Sequence, residues 1–263
     1  MILLFVGDVV GKPGRRILAQ QLNGLMDRYL VDYVIVNVEN AAGGFGVTHE
    51  VIAEFDELPI DCYTSGNHIW DKKEALSLLE EHSLLLRPAN YPAGNPGQGL
   101  HVGETATGHK VATLNLEGQV FMKPLESPFR VADRLLDSLD PQIKVVFVDF
   151  HAETTSEKQA LGIYLDGRAS VVAGTHTHVP TADERILPRG TAYITDVGMT
   201  GPYESVIGMR GDKVVQRFLL QSKVAFEVAK RDVRLAAIVV DIDHETGRAR
   251  QIERLLIPAE ERK

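Results

Sequence analysis

Residues 2–40 read ILLFVGDVVGKPGRRILAQQLNGLMDRYLVDYVIVNVEN, and this stretch decides the fold class. Ile2–Val6 and Tyr33–Val38 are short runs rich in Val, Ile and Phe, which is typical of strands buried on both faces. Between them, Arg15–Tyr29 carries apolar residues at helical spacing. A strand, a helix and a second strand in this order predict a parallel β-α-β unit.

The same alternation continues along the chain. Further strands are predicted at Cys62–Thr64, Val145–Phe150 and Ser170–Ala173, and further helices at His49–Leu58, Lys72–His82, Arg130–Leu139 and Ser156–Leu165. Each strand ends in a polar or glycine-rich turn. The chain is therefore predicted to be α/β, with mainly parallel central sheets flanked by helices, in one compact domain over residues 1–263.

Two segments interrupt this rhythm. Asn90–Pro128 is rich in Gly and Pro around a predicted hairpin, and we expect a lid or hairpin excursion there that could overhang a site. Ile186–Ile207 is predicted to be a second long loop that could do the same. Near the end, Leu235–Ile242 and Arg250–Ile257 flank a glycine-containing turn and predict an antiparallel hairpin.

The composition excludes several classes of protein. The chain has 263 residues, with 28 Lys+Arg against 36 Asp+Glu and a net charge of −8, so tight nonspecific binding to long nucleic acid is not expected. No signal peptide or membrane span is expected either. One cysteine, Cys62, and no Asn-x-Ser/Thr sequon predict a reducing, cytoplasmic location. A chain this long needs no metal to fold, so a bound metal would be functional.

Residues of metal-ligand type follow five of the predicted strands. They are Asp8, Glu39 with Asn40, Asn67 with His68, His151, and His176 with His178. The carboxyl ends of parallel strands meet at one edge of a sheet, so these side chains are expected to converge. Alternate residues of an extended segment face the same way, which would put the imidazoles of His176 and His178 on one side.

The donor set indicates the chemistry. Carboxylate and amide oxygens with imidazoles, and no thiolate, suit Mn, Fe or Zn rather than an iron–sulfur cluster. One structural zinc needs only four ligands, so the larger set favours a two-metal site with a bridging carboxylate. Such sites activate water and neutralise charge on a phosphoryl group, and phosphoester hydrolysis is the expected reaction.

The motifs themselves occur in a known order: Gly7-Asp8, Gly66-Asn67-His68, the isolated His151, and Gly174-Thr175-His176-Thr177-His178. In this order they resemble the calcineurin-like metallophosphoesterases. GDVVGKPGR, NVENAAGGFGVT, SGNHIWDK, DFHAE and GTHTHVPTAD are similar to the bacterial YmdB-type branch, over about residues 2–257. The resemblance implies an α/β/β/α sandwich and a cyclic nucleotide phosphodiesterase activity.

It also implies roles for individual residues. One ion would be held by Asp8, Glu39, Asn40 and His178, and the other by Glu39, Asn67, His151 and His176, with Glu39 bridging. The implied cofactors are two divalent or mixed-valence metal ions, and Fe or Mn is expected in preference to Zn. His68 resembles the catalytic histidine of the family. The sequence departs from the wider superfamily at Val10, where a histidine ligand is usual, and at Glu39, where the bridging residue is usually Asp.

The expected function is hydrolysis of small phosphodiesters, cyclic nucleotides of the 2′,3′-cyclic AMP class before others. A hydroxide bridging the two ions would attack phosphorus, and His68 would assist the departing oxygen. A phosphomonoesterase or nucleotidase is an alternative, with Lys12, Arg15 and Arg16 as the nearest cations. A metal-binding regulatory protein with vestigial activity is another. A small nucleotide is the expected partner, and a homo-oligomer is common for such enzymes.

Several nearby residues have two interpretations. Asp71 is left out of the ligand set as a helix N-cap, and Asp149 is left out because it is expected to face the other side of the strand from His151. Glu153 either orients a ligand histidine or belongs to a turn. Phe45, in a glycine-rich loop, either stacks on a substrate base or packs in the core. Thr195–Met209 belongs to the family-like sequence without an assigned role.

Overall fold

The computed structural model of the protein describes residues 1–259. The first half contains β1 (Ile2–Val6), α1 (Gly11–Tyr29), β2 (Tyr33–Asn37), α2 (His49–Asp56), β3 (Cys62–Thr64), α3 (Ala75–Glu81), β4 (Leu100–Glu104) and β5 (Lys110–Glu117). The second half contains α4 (Pro128–Asp137), β6 (Val145–His151), α5 (Thr155–Leu165), β7 (Val171–Thr175), β8 (Arg185–Ile186), β9 (Ala192–Ile194), β10 (Gly201–Pro202), α6 (Gly211–Leu220), β11 (Val233–Ile242) and β12 (Ala249–Pro258). Of the helices in these residues, none is long and apolar enough to cross a membrane.

The strands form two mixed sheets. The first has the order β10-β11-β1-β2-β3, with β12 also paired to β11, and the second has the order β4-β5-β6-β7-β9-β8. β1, β2 and β3 are parallel and run to one edge of the first sheet, while β5, β6, β7 and β9 are parallel at the centre of the second. The other pairings are antiparallel, including both edges of the second sheet and the predicted C-terminal hairpin, β11 with β12.

The two sheets pack face to face and share a core. Phe5 of β1 and Phe147 of β6 meet at this interface, with ring centroids 4.7 Å apart. On the opposite face of β1, Leu4 and Val6 pack against helix α1. Helices α4 and α5 cover the outer face of the second sheet in the same way. Alternate residues of a central strand thus face either the core between the sheets or the core beneath the helices. The predicted α/β/β/α sandwich is confirmed.

Of the lid or hairpin excursion expected in the segment 90–128, the structure shows a hairpin. Its hairpin, β4 with β5, is an integral edge of the second sheet, because β5 pairs in parallel with β6 from Val111 opposite Val145 to Glu117 opposite His151. Those backbone hydrogen bonds hold the segment in the sheet rather than over a site.

Helix α6 lies outside the set of helices predicted from the sequence. Val215, Phe218 and Leu219 on this helix are exposed, so its apolar residues do not mark a buried stripe of the kind that sequence periodicity detects.

Candidate metal centre

The predicted site residues lie together where two sheets end. Asp8, Glu39 and Asn67 follow β1, β2 and β3 of the first sheet, while His151 ends β6 and His176 follows β7 of the second. The remaining predicted residues, Asn40, His68 and His178, lie beside them. Because each sheet contributes its carboxyl ends, the site is built across the sheet–sheet interface and belongs to neither sheet alone.

One group of donors surrounds His151. Its Nε2 lies 3.1 Å from Oε1 of Glu39, 3.0 Å from Oδ1 of Asn67 and 3.0 Å from Nδ1 of His176. Donor atoms of Glu39, His151 and His176 all lie within 4.8 Å of one another. A carboxylate, an amide oxygen and two imidazoles thus point at one small volume.

A second group surrounds Asp8. Donor atoms of Asp8, Glu39 and His178 lie within 4.8 Å of one another. Asn40 belongs to this side, with its amide nitrogen 3.1 Å from Nε2 of His178. Oδ1 of Asp8 is buried and has no hydrogen-bond partner among the described residues. An orphaned buried carboxylate oxygen costs free energy unless a cation or donor satisfies it, so this donor set fits a metal ion.

The charges in the site depend on each other. Burial is the largest single influence on the pKa of Glu39 and would raise it, but the charge and hydrogen bond of His151, together with the charges of His68 and His176, lower that pKa to about 2. Burial would lower the pKa of His151, yet Glu39 raises it to about 9. Burial and the charge of His151 lower the pKa of His176 to about 3. A proton on His151 therefore balances Glu39, and a cation held by both would take the place of that proton.

A buried relay orients His151. Its Nδ1 lies 2.9 Å from Oγ1 of Thr175, which donates to Oδ1 of Asp149 at 2.7 Å. Because the hydroxyl proton is used on Asp149, Thr175 accepts from Nδ1–H, and Nε2 is left to face the cluster. Asp149 also accepts from Asn37 and Thr64. The expectation that Asp149 faces away from His151 is therefore wrong: two residues before His151 on one strand, it faces the same side and supports the histidine through Thr175.

The His-Thr-His segment reaches the site by a turn rather than an extended strand. β7 ends at Thr175, and the φ angles of His176 and His178 are +93° and +64°. Nδ1 of His178 lies 3.0 Å from the carbonyl oxygen of Ile207, which leaves Nε2 facing Asn40. Both imidazoles do face the site, but the expected extended geometry is wrong. Left-handed histidines are strained and need external support.

Asp196 supplies that support, a role that the sequence analysis missed. Its Oδ2 accepts from the backbone N–H of Thr177 at 3.1 Å and from the Thr177 hydroxyl at 2.6 Å.

Glu153 contacts a histidine of the site. Its Oε2 lies 3.1 Å from Nε2 of His176, which is the first of the two interpretations of Glu153.

His68 lies on a 3₁₀ turn, Asn67–Asp71, directly after β3. Its backbone N–H donates to Oε2 of Glu39 at 3.1 Å, and its Nδ1 lies 2.7 Å from Oδ2 of Asp71. The N-cap interpretation of Asp71 is wrong, because α3 begins at Ala75 with Glu74 in the cap position. The three-residue spacing from His68 to Asp71 on a helical turn was the signal in the sequence.

Gly66 allows the closest approach in the site. A Cβ at this position would lie 2.2 Å from Cδ2 of His151, well inside van der Waals contact. The absence of a side chain at Gly66 thus lets the turn that carries Asn67 and His68 approach the ring of His151.

A cavity of about 790 Å³ opens above these residues. Glu39, His68, His176 and His178 line its floor, and Phe45 stands beside His68 with ring centroids 5.0 Å apart. Half-buried Phe45 is therefore at the cavity and not in the core. The other wall comes from the segment around α6, which sequence reasoning did not connect with the site.

The cations proposed for a phosphomonoesterase lie elsewhere. Lys12, Arg15 and Arg16 line a separate surface cleft with Phe55, and the Arg15 guanidinium pairs with Glu54 at 2.7 Å. Arg15 is thus committed to a surface ion pair, and this cluster does not line the cavity above the candidate metal ligands.

The two-sheet sandwich with a mixed carboxylate, amide and imidazole cluster at its strand ends defines the class of metallophosphoesterases. A family model described as YmdB-like protein matches residues 4–255. The chain belongs to this YmdB-like family of the metallophosphoesterase superfamily, as its motifs predicted.

Named relatives and solved structures agree with this membership. The chain is 48% identical over 257 residues to the 2′,3′-cyclic-nucleotide 2′-phosphodiesterase of Bacillus subtilis, covering 98% of this chain and 97% of that protein. It is similar to the crystal structure of a hypothetical protein from Thermus thermophilus, with a TM-score of 0.93, 43% identity and coverage of 99% and 100%. A structure described as a novel phosphatase from Mycoplasma pneumoniae has a TM-score of 0.92, 38% identity and coverage of 98% and 93%.

Proposed function

We propose that this protein is a metal-dependent phosphodiesterase that opens 2′,3′-cyclic nucleotides at the 2′ ester bond. The observation that carries the proposal is the position of Glu39, whose carboxylate belongs to both groups of converging donors. A carboxylate shared between two donor groups is what a pair of neighbouring cations requires. The activity named for the Bacillus subtilis relative supports the substrate class.

The proposed ligand sets follow the geometry. Asp8, Glu39, Asn40 and His178 would hold one ion, and Glu39, Asn67, His151 and His176 the other. Oxygen donors with neutral imidazoles suit Fe or Mn, with Zn next. When bound there, such ions would neutralise phosphate charge and lower the pKa of water.

The chain's own residues would do the rest of the chemistry. Water adds to phosphorus, the bond from phosphorus to O2′ breaks, and O2′ takes up a proton. His68 lines the cavity and, with Nδ1 engaged by Asp71, has Nε2 available to deliver that proton to O2′. Phe45 packs edge-on against one side of the imidazole.

The same geometry supports a diesterase over the alternatives. A phosphomonoester has a terminal dianion that cations beside the metal ligands would stabilise. The cations expected for that role, Lys12, Arg15 and Arg16, lie at another cleft, and those that line the cavity, Arg217 and Lys223, belong to the segment around α6 and not to the turns that carry the candidate ligands. The His68–Asp71 pair is a built proton-transfer unit, for which a purely regulatory metal protein has no need.

The test is hydrolysis of 2′,3′-cyclic AMP by protein stripped of metal and then reconstituted separately with manganese, iron and zinc. We expect turnover only after reconstitution, formation of adenosine 3′-monophosphate, and a fall of about 10²- to 10⁴-fold in His68→Ala at unchanged metal content. His82→Ala is the matched control, since His82 also pairs with an aspartate, Asp56, but lies away from the cavity. Metal-loaded protein without turnover on this substrate would refute the proposal.

We propose further that residues 1–263 act as a single domain, because the core between the sheets joins both halves of the chain. One cooperative calorimetric unfolding transition would support this, and two separate transitions would contradict it. For the compartment we propose the cytoplasm, supported by the single buried thiol of Cys62.

A further inference from the structure

One wall of the cavity is aromatic and basic, unlike the floor. Met209, Val214, Phe218 and Phe226 line it together with Arg217 and Lys223, and we refer to these six residues as the α6 wall. The floor opposite carries the candidate metal ligands. A cavity of about 790 Å³ is in the range of sites for whole small molecules and is far larger than a phosphate group needs.

The α6 wall has the chemistry of a stacking surface. The Arg217 guanidinium lies over the ring of Phe226, 4.8 Å from its centroid. Among residues 1–259, no carboxylate lies within salt-bridge distance of Arg217 or Lys223. Phe218 is 72% exposed at the cavity mouth. Exposed aromatic rings with unpaired guanidinium groups are the groups on which nucleobases stack.

The loop that carries Phe45 lies close to the α6 wall, and both line the same cavity. A Cβ on Gly44, the neighbour of Phe45, would lie 2.6 Å from the terminal methyl of Met209. His68, Phe45 and Phe226 all line this one cavity. A ligand with its phosphate at the floor would extend along these residues.

We propose that the α6 wall is a nucleobase subsite, with the base lying against Phe226 and Arg217. The inference rests on the proposed function for the position of the phosphate at the floor. Every nucleobase has a π face, so stacking alone does not distinguish one base from another. The subsite would therefore favour nucleotides over base-free phosphates with little discrimination among bases. The side-chain amide of Gln221 already donates a hydrogen bond to the carbonyl oxygen of Phe218. This argues against recognition of the base by hydrogen bonds from that side chain.

The test is a binding measurement that needs no turnover. Manganese-loaded protein is titrated calorimetrically with adenosine 3′-monophosphate and with glycerol 2-phosphate, which lacks a base. We expect wild-type protein to prefer the adenosine compound, and Phe226→Ala to reduce the affinity ratio by about 5- to 150-fold, the range that stacking on one aromatic ring supports. Phe226→Leu keeps apolar bulk but lacks the π face, so it should lose most of the same ratio while folding normally.

Phe121→Ala is the control, because Phe121 is 89% exposed and lies outside the cavity. Equal wild-type affinities for the two compounds, or an unchanged ratio in both Phe226 variants, would overturn the subsite. A changed oligomeric state in sedimentation with an unchanged ratio would overturn it too, and would assign the wall to a second copy of the chain. Absence of cyclic nucleotide hydrolysis, with the binding ratio behaving as expected, would refute the proposed function alone.

Discussion

Nζ of Lys158 lies 2.7 Å from Oδ2 of Asp196, and both side chains are buried, with exposures of 1% and 0%. The same carboxylate accepts two hydrogen bonds from Thr177, between the two strained histidines, and one from the backbone of Gly198. Helix α5, which carries Lys158, is thereby tied to the turn that presents His176 and His178. The Asp196 carboxylate of this buried ion pair thus accepts four hydrogen bonds, and such partners make the burial of charge tolerable.

Asp196→Asn should weaken metal binding without a change of ligand. The amide keeps an acceptor oxygen but removes the charge that holds Lys158 and the His-Thr-His turn. We expect affinity for Mn²⁺ to fall about 10- to 100-fold, the usual cost of losing a group that orients a metal ligand, as measured by calorimetric titration.

Asp166→Asn is the control for this prediction. Asp166 is also a buried carboxylate with backbone donors, from Arg189 and Thr191, but it precedes β7 and so lies at the other end of the strand. The Asp166→Asn protein should be less stable than the wild type and keep its affinity for Mn²⁺. Equal metal affinities in the two variants would contradict the assigned role of Asp196.

Glu39→Gln should weaken the binding of both proposed ions, whereas His178→Ala should weaken the binding of one. Glu39 belongs to both donor groups and His178 to a single group. Metal content measured by mass spectrometry after dialysis should approach zero ions in the first variant and one in the second, against two in the wild type. Loss of a single ion from Glu39→Gln would show that Glu39 does not bridge.

Alanine at Gly66 and at Gly24 should have opposite effects on stability. At Gly66 the new Cβ meets the buried ring of His151 at 2.2 Å, and overpacking of this kind costs about 1–3 kcal/mol. At Gly24, on the exposed side of α1, nothing lies within 4 Å, and better helix propensity should add about 0.5–1 kcal/mol. Urea unfolding of metal-free protein measures both, and stabilisation by Gly66→Ala would contradict the packing described here.

Asp71→Asn should lower kcat while KM and metal content stay near their wild-type values, because the side-chain hydrogen bond of Asp71 within residues 1–259 is to the ring of His68. The amide oxygen can still accept from Nδ1, so the loss should fall between wild type and Asp71→Ala. In a His68→Ala background the same change should have no further effect, since the two residues act as one unit. Asp56→Asn, at the exposed pair with His82, is the matched control. An additive double mutant would contradict the pairing.

Cys62 should make the protein less stable as pH rises above about 9. Burial raises the pKa of its thiol from 9.0 to about 12, so the unfolded chain ionises first and is favoured as pH increases between those values. We expect the free energy of unfolding to fall by about 1 kcal/mol more between pH 9 and 10 in wild type than in Cys62→Ala. Thiol reagents at pH 8 should label Cys62 only after unfolding. Rapid labelling of native protein would contradict its burial.

The sequence was sufficient for most of the fold because strands buried on both faces leave continuous apolar runs. The predicted strands Ile2–Val6 and Cys62–Thr64 agree with the structure to the residue. The hairpin at 100–117 was recognised, but its place in the second sheet was not, since pairing with β6 depends on contacts distant in the sequence. Helix α6 was missed because its apolar residues face a cavity and solvent rather than a core.

The residue types of the candidate site could also be identified from the chain alone, since each predicted ligand follows a strand directly. The residues that support these ligands could not be identified in this way. Asp149, Asp196 and Lys158 read as ordinary strand, loop and helix residues until folding brings them to the histidines. The positive φ angles of His176 and His178 likewise oppose the local expectation of an extended segment.

By itself, the sequence determined the α/β class, the family and the set of donors, because these depend on local periodicity and on residues placed just after strands. Only the tertiary structure decided that Lys158 pairs with Asp196 beside the His-Thr-His turn, and that Phe226 and Arg217 line the same cavity. These relationships join residues from different strands and helices. The distances between such residues are set by the packing of the two sheets on one core, which no local pattern encodes.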